Sequence, residues 1–215
     1  MAVVAVIGAG KLGGALARRA LAAGHAVRVA GRVDTAAFRE RVAVAVPGAQ
    51  ASSVEETVQG ADLVVLALPL GEHRRLDPTV LAGHVVVDAM NDWPAAGLAA
   101  GSTTAVEDSS VRVQRDLPGA LVVKAFNHIG YHDLDDEPLH GASPRRALAV
   151  AADDRSAARR VAAFVQSLGF DAVDAGPLAR GAGFALGTPA FAAPRTATEL
   201  GALLTSAWRP LLVAA

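Results

Sequence analysis

Short apolar runs alternate with longer amphipathic stretches over the first 70 residues of the chain. Residues 3–7 form a β-branched apolar run that predicts a buried strand, residues 11–23 predict a helix, and residues 26–30 predict a second strand. Strand, helix and strand in this order are typical of a βαβ unit, in which a crossover helix joins two parallel strands. We therefore expect the chain to start with a parallel sheet.

The alternation continues nearly to the end of the sequence. Further strands are predicted at residues 42–46, 62–67, 84–88, 121–125, 146–151 and 170–174, and helices at residues 53–59, 109–117, 156–168 and 196–204. Thr196 and Glu199 have the spacing of a capping box at the start of the last helix. Continuous apolar strands separated by helices indicate an α/β fold with a Rossmann-type, doubly wound and mostly parallel sheet.

Three glycines follow the first predicted strand at the spacing Gly-x-Gly-x-x-Gly. Gly8 permits a tight turn, Gly10 lets the backbone approach the phosphates of a ligand, and Gly13 allows the helix to pack closely on the strand. The N-terminal N–H groups and the dipole of the following helix then favour an anion. Such a motif alone is weak, but the strand before it and the helix after it supply its context. The sequence therefore predicts a site for a dinucleotide cofactor.

The end of the second predicted strand indicates which dinucleotide binds. A site specific for NAD usually has an acidic residue there, whereas this chain has Gly31 followed by Arg32. A guanidinium pairs with a 2′-phosphate through two charge-assisted hydrogen bonds, so Arg32 favours NADP(H); the alternative is a solvated surface arginine. Asp34 also has two interpretations, as the acid that binds the ribose or as the N-cap of the next helix.

The residues at the carboxyl ends of the other strands should face the same crevice. Asn127 and His128 are the catalytic candidates. Asn127 bonds the nicotinamide carboxamide or the substrate ring, or else caps a turn; His128 handles a proton near neutral pH, or else is a hydrogen-bonded loop histidine. Lys124 is catalytic, or extends its ammonium to the sheet edge, which is the favoured alternative. The cofactor-binding candidates at these strand ends are Leu68, Pro69, Met90, Asn91, Ala125 and Phe126.

Two irregular segments, residues 128–144 and 176–194, are rich in Gly, Pro, Asp or Ala and should carry the substrate specificity. The first holds His128, His132 and several acids, a set that could bind a divalent metal. However, Gly130 lies between the two histidines and no third ligand stands at a recognised spacing. We therefore expect a solvated acidic loop and no metal.

Composition limits the remaining possibilities. With 52% hydrophobic residues and a formal net charge of −1, the 215 residues can bury a sizeable core and suggest no basic surface for nucleic acid. The absence of cysteine excludes disulfides, thiolate catalysis and cysteine-ligated metals. The apolar start lacks the basic residues of a signal peptide, and no apolar run is long enough to span a membrane. We expect a cytoplasmic protein that has neither nucleic acid nor membrane as a partner.

Four segments carry a resemblance to a known family. They are VIGAGKLG at residues 6–13, Gly31-Arg32, VKAFN at residues 123–127, and GFDAVDAGPL at residues 169–178. Together they resemble the F420-dependent NADP oxidoreductase family over nearly the whole chain. Two features depart from the family pattern: Gly31 stands where a serine is frequent, and the Gly-rich residues 179–189 stand where an apolar helix is usual.

The resemblance implies an activity and roles for individual residues. It implies hydride transfer between NADP(H) and the deazaflavin coenzyme F420 by a homodimer, with a small C-terminal lobe helping to form the deazaflavin site. It also implies that Lys11 and Leu12 contact the pyrophosphate, that Arg32 contacts the 2′-phosphate, and that Leu68 and Pro69 lie at the nicotinamide ribose.

We accordingly predict an NADP-binding Rossmann domain at residues 1–145 and a small C-terminal α/β lobe, packed on it, at residues 146–215. The expected activity is hydride transfer between NADPH and a small-molecule deazaflavin or flavin-type acceptor such as F420, which requires the positioning of two rings rather than a nucleophile or a metal. One alternative is reduction of a small imine or carbonyl, with His128 or Tyr131 as proton donor. Another is a protein that binds NADPH without turnover.

Overall fold

Eight strands form one sheet in the computed structural model, which describes residues 1–93, 108–141 and 143–207. The strands are β1 Val3–Ile7, β2 Ala26–Ala30, β3 Gln50–Ala51, β4 Leu63–Leu66, β5 Val85–Asp88, β6 Leu121–Lys124, β7 Ala147–Ala152 and β8 Asp171–Gly176. Their order in the sheet is β3-β2-β1-β4-β5-β6-β7-β8. All neighbours pair in parallel except β6 and β7, which are antiparallel. The predicted Rossmann-type, mostly parallel sheet is confirmed.

The chain winds outward in two directions from the middle of this sheet. From β1 it moves to β2 and β3 on one side, and it then crosses back to β4 and continues to β8 on the other. A crevice opens at the carboxyl ends of β1 and β4, where the winding direction changes. The predicted functional turn, residues 8–13, lies at this point.

Helices connect the strands on both faces. The α-helices are α1 Lys11–Ala22, α2 Ala36–Ala45, α3 Val54–Val58, α4 Pro78–Leu81, α5 Ser109–Asp116, α6 Tyr131–Asp136, α7 Arg155–Ser167 and α8 Ala197–Ala207. Two 3-10 helices cover Glu72–Arg75 and Leu178–Phe184. No helix among the described residues is both long and apolar enough to cross a bilayer.

Each inner strand supplies side chains alternately to two hydrophobic cores. Val4 and Val6 of β1 pack with residues of α1, α2 and α7, whereas Ala5 and Ile7 pack with residues of α3, α4 and α5 on the opposite face. All four side chains are buried. Because both faces of the strand are covered, its sequence is a continuous apolar run rather than an alternating one.

Residues 42–46 do not form the predicted strand, because they lie mostly within α2. Their alternating valines suggested a strand, yet Val44 is 83% exposed. Phe38 and Val42, one helical turn apart, are the buried residues of α2. The Thr35 side chain caps this helix by accepting a hydrogen bond from the Phe38 N–H. The third strand is the two-residue β3 instead.

The sheet continues into the C-terminal part of the chain through β7. On the α1 face, the buried guanidinium of Arg19 donates hydrogen bonds to the carbonyl oxygens of Leu134, Glu137 and Leu168, at 2.7 Å each. Arg19 therefore ties α1 to α6 and to the end of α7. The predicted division into residues 1–145 and 146–215 falls just before β7, within this continuous sheet, and stays a prediction.

The two segments predicted to be irregular contain short helices. α6 lies within residues 128–144, and the second 3-10 helix lies within residues 176–194. The capping box predicted for α8 is confirmed, because the Thr196 N–H donates to Glu199 Oε2 at 2.8 Å and the Glu199 N–H donates to Thr196 Oγ1 at 3.4 Å.

Lys124 at the end of β6 is buried, and its predicted extension to the sheet edge is wrong. Its side chain is 1% exposed, and its Nζ lies 3.5 Å from Oδ2 of the fully buried Asp88. Nζ also donates to Ser109 Oγ at 3.2 Å and to the Met90 carbonyl oxygen at 3.4 Å. Gly181 of the second 3-10 helix covers the lysine so closely that a Cβ there would lie 2.7 Å from Lys124 Cδ.

The buried ion pair predicts a specific stability effect. We expect Lys124→Met to lower the free energy of unfolding by about 3–5 kcal/mol, because it leaves the Asp88 carboxylate buried without a counter-charge. Lys124→Met combined with Asp88→Asn should be more stable than Lys124→Met alone, since the double variant removes both charges. Denaturant unfolding measures both effects. A loss below about 1 kcal/mol for the single variant would contradict this account.

Candidate cofactor site

Two of the three glycines in the turn between β1 and α1 are required by packing. Gly8 has a φ of +114°, and a Cβ at this residue would lie 2.3 Å from the carbonyl oxygen of Ala67. A Cβ at Gly13 would lie 1.8 Å from the carbonyl oxygen of Gly8. Both distances are far below van der Waals contact, so the start of α1 can approach the ends of β1 and β4 only because these residues lack side chains.

Gly10 differs from the other two glycines because a Cβ there would have no atom within 4 Å. Gly10 is exposed and is the N-cap of α1, where no side chain caps the first turn and no acidic residue occupies it. The N-terminal N–H groups of α1 are therefore open to an anion. By contrast, side chains cap six other helices in the described part of the chain, at Thr35, Ser53, Asp77, Asp108, Asp154 and Thr196.

The two residues after Gly10 take different positions. Lys11 is exposed, and its Nζ lies 5.2 Å from the centroid of the Tyr131 ring, a cation–π distance. Leu12 is half-buried and packs against the core of the α1 face. Gly10, Lys11 and Tyr131 line one groove of about 610 Å³ between α1, α2 and α6. Lys11 and Leu12 stay the predicted pyrophosphate contacts.

Gly31, Arg32 and Leu68 lie together in a second pocket of about 300 Å³ at the carboxyl ends of β2 and β4. Arg32 is exposed, and it has no hydrogen-bond or ion-pair partner within the described ranges. Asp34 lines the same pocket but accepts two hydrogen bonds from the Arg39 guanidinium, one of them 2.8 Å long. This pairing holds the pKa of Asp34 below its usual range. Asp34 is not the N-cap of α2, which is Thr35.

The absence of a side chain at Gly31 also has a packing reason. A Cβ at this position would lie 2.5 Å from Cε2 of Phe38, and Phe38 is buried against the core of the α1 face. A serine at residue 31, as is frequent in the family that the sequence resembles, would therefore displace the Phe38 ring. The loss of one potential phosphate ligand is thus coupled to the packing of α2.

The remaining cofactor-binding candidates divide by exposure. Pro69 is exposed and Asn91 is half-buried at the crevice, whereas Met90, Ala125 and Phe126 are buried. These three residues can support the floor of a site but present little side-chain surface to a ligand. Phe126 has a φ of +63°, which is strained for a residue with a side chain. This backbone conformation turns the chain after β6, just before Asn127 and His128.

Asn127 and His128 belong to a continuous series of hydrogen bonds within the protein. The Asn127 amide donates to the Phe184 carbonyl oxygen at 3.0 Å and to Asn91 Oδ1 at 3.4 Å. The Asn91 amide donates to the Asn127 carbonyl oxygen at 2.8 Å. The His128 Nδ1 lies 3.3 Å from Asn127 Oδ1, and its Nε2 lies 3.0 Å from the Ala149 N–H. This series links the ends of β5 and β6 to β7 and to the second 3-10 helix.

The partners of His128 determine its protonation. The Ala149 N–H can only donate, so Nε2 accepts and the proton resides on Nδ1, which donates to Asn127. Burial, reinforced by the charges of Arg146 and Lys124, lowers the pKa of His128 to about 3. Asn127 uses both amide hydrogens within the protein. Their predicted catalytic role stays a prediction, but this geometry favours the loop-histidine and turn-capping alternatives.

Acidic side chains in the segment that follows His128 form ion pairs with arginines. Asp133 pairs with Arg146 at 2.7 Å, and Asp135 pairs with Arg18 at 2.6 Å. Within residues 1–93, 108–141 and 143–207, no group of three or more His, Asp or Glu side chains could hold a metal ion. The segment thus joins α6 to α1 and β7 through ion pairs.

Several further residues of the second pocket were not singled out from the sequence. Ser53, Glu72 and Arg75 line it together with Arg32. Glu72 and Arg75 come from the 3-10 helix that follows β4, and they form an ion pair of 3.2 Å. Glu72 and Arg75 could have been found from their position in the sequence, because they come just after Leu68 and Pro69 at the carboxyl end of β4, which lies next to β1.

These features fit a dinucleotide with a 2′-phosphate. The open backbone at Gly10 and the uncapped start of α1 match a pyrophosphate. The guanidinium of Arg32, which has no partner among the described residues, matches a second anionic group at the end of β2.

Two glycine variants should separate packing from binding. Gly10→Ala should change the free energy of unfolding by less than about 1 kcal/mol, because its Cβ meets open space, yet weaken NADPH binding at least about tenfold by obstructing the phosphates. Gly13→Ala should lower both stability and affinity, since its Cβ overlaps the Gly8 carbonyl. Thermal unfolding and fluorescence titration with NADPH measure the two effects. Equal affinity for Gly10→Ala and wild type would refute the assignment of the anion site.

Comparison with known proteins places this site in a family. The sequence profile described as NADP oxidoreductase, coenzyme F420-dependent, matches residues 3–92. This range includes Gly10 of the groove and Gly31, Arg32 and Arg75 of the second pocket. No functionally curated protein matches the sequence. A hypothetical protein from Sinorhizobium meliloti has a similar structure, with a TM-score of 0.80, 31% sequence identity, and coverage of 91% of this chain and 96% of that one.

Two more solved structures share the fold at lower identity. A candidate F420-dependent NADP reductase from Arthrobacter sp. FB24 has a TM-score of 0.69 and 23% identity over 97% of this chain and 91% of its own. An imine reductase from Bacillus cereus has a TM-score of 0.60 and 21% identity over 84% of this chain and 56% of its own. The profile match assigns residues 3–92 to the family of NADP oxidoreductases described as coenzyme F420-dependent.

Proposed function

We propose that this protein transfers a hydride between NADPH and a planar ring acceptor of the deazaflavin or flavin type, such as coenzyme F420. The proposal is carried by two observations. The anion site is open and Arg32 has no partner among the described residues, whereas His128 and Asn127, in the floor of the crevice, are hydrogen-bonded within the protein. This arrangement suits a protein that binds and orients two rings. It suits less well a protein that supplies a proton from these two residues.

In this proposal the N-terminal N–H groups of α1 hold the pyrophosphate, and Arg32 holds the 2′-phosphate. Leu68 and Pro69 lie beside the nicotinamide ribose. The nicotinamide, when bound, supplies the hydride. Met90, Ala125 and Phe126 form the floor on which the ring rests, and Asn91 and Asn127 fix the shape of that floor through their mutual hydrogen bonds. Holding two rings at reacting distance is the main catalytic contribution of such a site.

Proton transfer is the point at which the acceptors differ. Reduction of an imine or carbonyl requires a proton donor close to the acceptor atom. His128 is unsuited to that role because its pKa of about 3 keeps the buried imidazole neutral, and its one N–H points at Asn127. A ring acceptor that delocalises the incoming charge has no such requirement.

One observation favours a second candidate function. Tyr131 is half-buried beside Lys11 in the groove that contains Gly10, so its hydroxyl is a possible proton source for a small imine or carbonyl. Binding of NADPH without turnover is the third possibility, because the fold alone does not determine the chemistry.

The assembly and location of the protein belong to the same proposal. We propose that the protein is a homodimer in the cytoplasm. Its partner is the small-molecule hydride acceptor, and neither nucleic acid nor a membrane is a partner. Size-exclusion chromatography with light scattering measures the assembly directly.

The acceptor is tested by following NADPH oxidation at 340 nm with F420, FMN, FAD and a cyclic imine in parallel. We expect oxidation with a deazaflavin or flavin and none with the imine, and slower turnover with NADH. Tyr131→Phe is the matched variant, and it should leave ring reduction within about threefold of wild type. Imine turnover by the wild-type protein that falls by at least about a hundredfold in Tyr131→Phe would instead establish the imine reductase. Tight NADPH binding with no acceptor-dependent oxidation would instead establish the binding protein.

His128→Gln tests whether this residue acts as an acid. Gln keeps an acceptor for the Ala149 N–H, so we expect kcat to fall by less than about tenfold. Because the pKa of His128 is depressed from 6.5 to about 3 in the folded protein, its contribution to stability is present above pH 6.5 and is lost as the pH falls toward 3. The variant should therefore lose less stability than wild type between about pH 6.5 and pH 4. A fall in kcat beyond about a hundredfold would restore the acid role.

A further inference from the structure

We infer that Arg75 is a second ligand of the 2′-phosphate, which it reaches by leaving an ion pair with Glu72 when the nucleotide binds. The inference rests on the proposed use of NADPH and adds a specificity determinant to it. Arg75 and Arg32 come from different elements, the 3-10 helix after β4 and the end of β2, yet they line the same pocket of about 300 Å³. A pocket of this size with two guanidinium groups suits a nucleoside that carries a phosphate on its ribose.

The ion pair that Arg75 forms is weak enough to exchange. Its Nη1 lies 3.2 Å from Glu72 Oε2, and the two side chains are 61% and 37% exposed. Exposed pairs of this kind contribute little to stability, because water competes with both charges. A phosphate dianion offers a larger charge and two or more acceptor oxygens to the planar guanidinium. Glu72 thus holds Arg75 at the pocket until a stronger anion replaces the carboxylate.

The carboxylates of the pocket are arranged in keeping with this exchange. Asp34 is held by Arg39, and Asp77 is engaged as the N-cap of α4, where its Oδ1 accepts from the Thr79 N–H at 2.9 Å. Glu55 also lines the pocket. With Asp34 and Asp77 already engaged, Arg32 and Arg75 are the two cations of the pocket that a phosphate can recruit.

The neighbouring arginine provides a matched control. Arg74 has the same side-chain exposure as Arg75, 61%, and belongs to the same 3-10 helix, but it is not part of the pocket. Its Nε donates to Asp116 Oδ2 at 2.8 Å, on the side of α5. Replacing Arg74 therefore removes an equal charge from the same short helix without removing a group from the pocket.

The test compares the dissociation constants of NADPH and NADH for the full chain by calorimetry. Arg75→Ala should raise the NADPH constant about tenfold and the NADH constant less than about twofold, the difference expected from one charged hydrogen-bonding group. Arg75→Lys should recover part of the loss, and Arg74→Ala should change neither constant appreciably. Glu72→Gln should lower the NADPH constant, because it removes the carboxylate that competes with the phosphate.

Each outcome is decisive. An Arg75→Ala effect that is equal for both nucleotides, or no larger than that of Arg74→Ala, overturns the inference. If Arg32→Ala abolishes the preference for NADPH while Arg75→Ala leaves it intact, Arg75 is not a ligand and the proposed function stands. If the wild-type protein does not prefer NADPH to NADH, the proposed use of NADPH fails, and the inference fails with it.

Discussion

The close approach of α1 to the sheet is the contact on which the rest of the site depends. With no Cβ on Gly13, the helix backbone can lie against the carbonyl oxygen of Gly8, and Gly8 in turn lies against the end of β4. This contact places the uncapped helix N-terminus at the point where the winding of the sheet changes direction. The same helix carries Arg19, whose buried guanidinium holds α6 and the end of α7. One packing constraint therefore orients both the anion site and the connection to the C-terminal strands.

Buried polar groups give the crevice its fixed floor. Lys124 and Asp88 lie at the ends of β6 and β5, and the chain of hydrogen bonds through Asn127 and His128 runs beside them. Burial also raises the pKa of Asp108, which caps α5 next to this pair. A buried polar group without a partner is costly, so the satisfied groups resist displacement and keep the strand ends in register. In the hydride transfer proposed above, such a floor would hold the rings in place.

Much of the fold could be predicted from the sequence, because burial on both faces leaves a plain apolar signature in β1, β4 and β5. The failures have physical reasons. Residues 42–46 alternate like a strand, but the capping hydroxyl of Thr35 and the pairing of Phe38 with Val42 place them in α2. Asp34 precedes α2 and is of a residue type that caps helices, yet Arg39, five residues further on, binds its carboxylate. In both cases a tertiary or side-chain contact overrode a local preference.

The sequence by itself determined the sheet type, the glycine turn, and the family that residues 3–92 match, since these depend on local spacing and on residue types that admit few alternatives. Only the tertiary structure decided what the polar residues do. It buried Lys124 beside Asp88 rather than at the surface, closed Asn127 and His128 into an internal chain, and brought Arg75 into one pocket with Arg32. The reason is that the charge and hydrogen bonding of a side chain depend on neighbours distant in sequence, which local patterns do not encode.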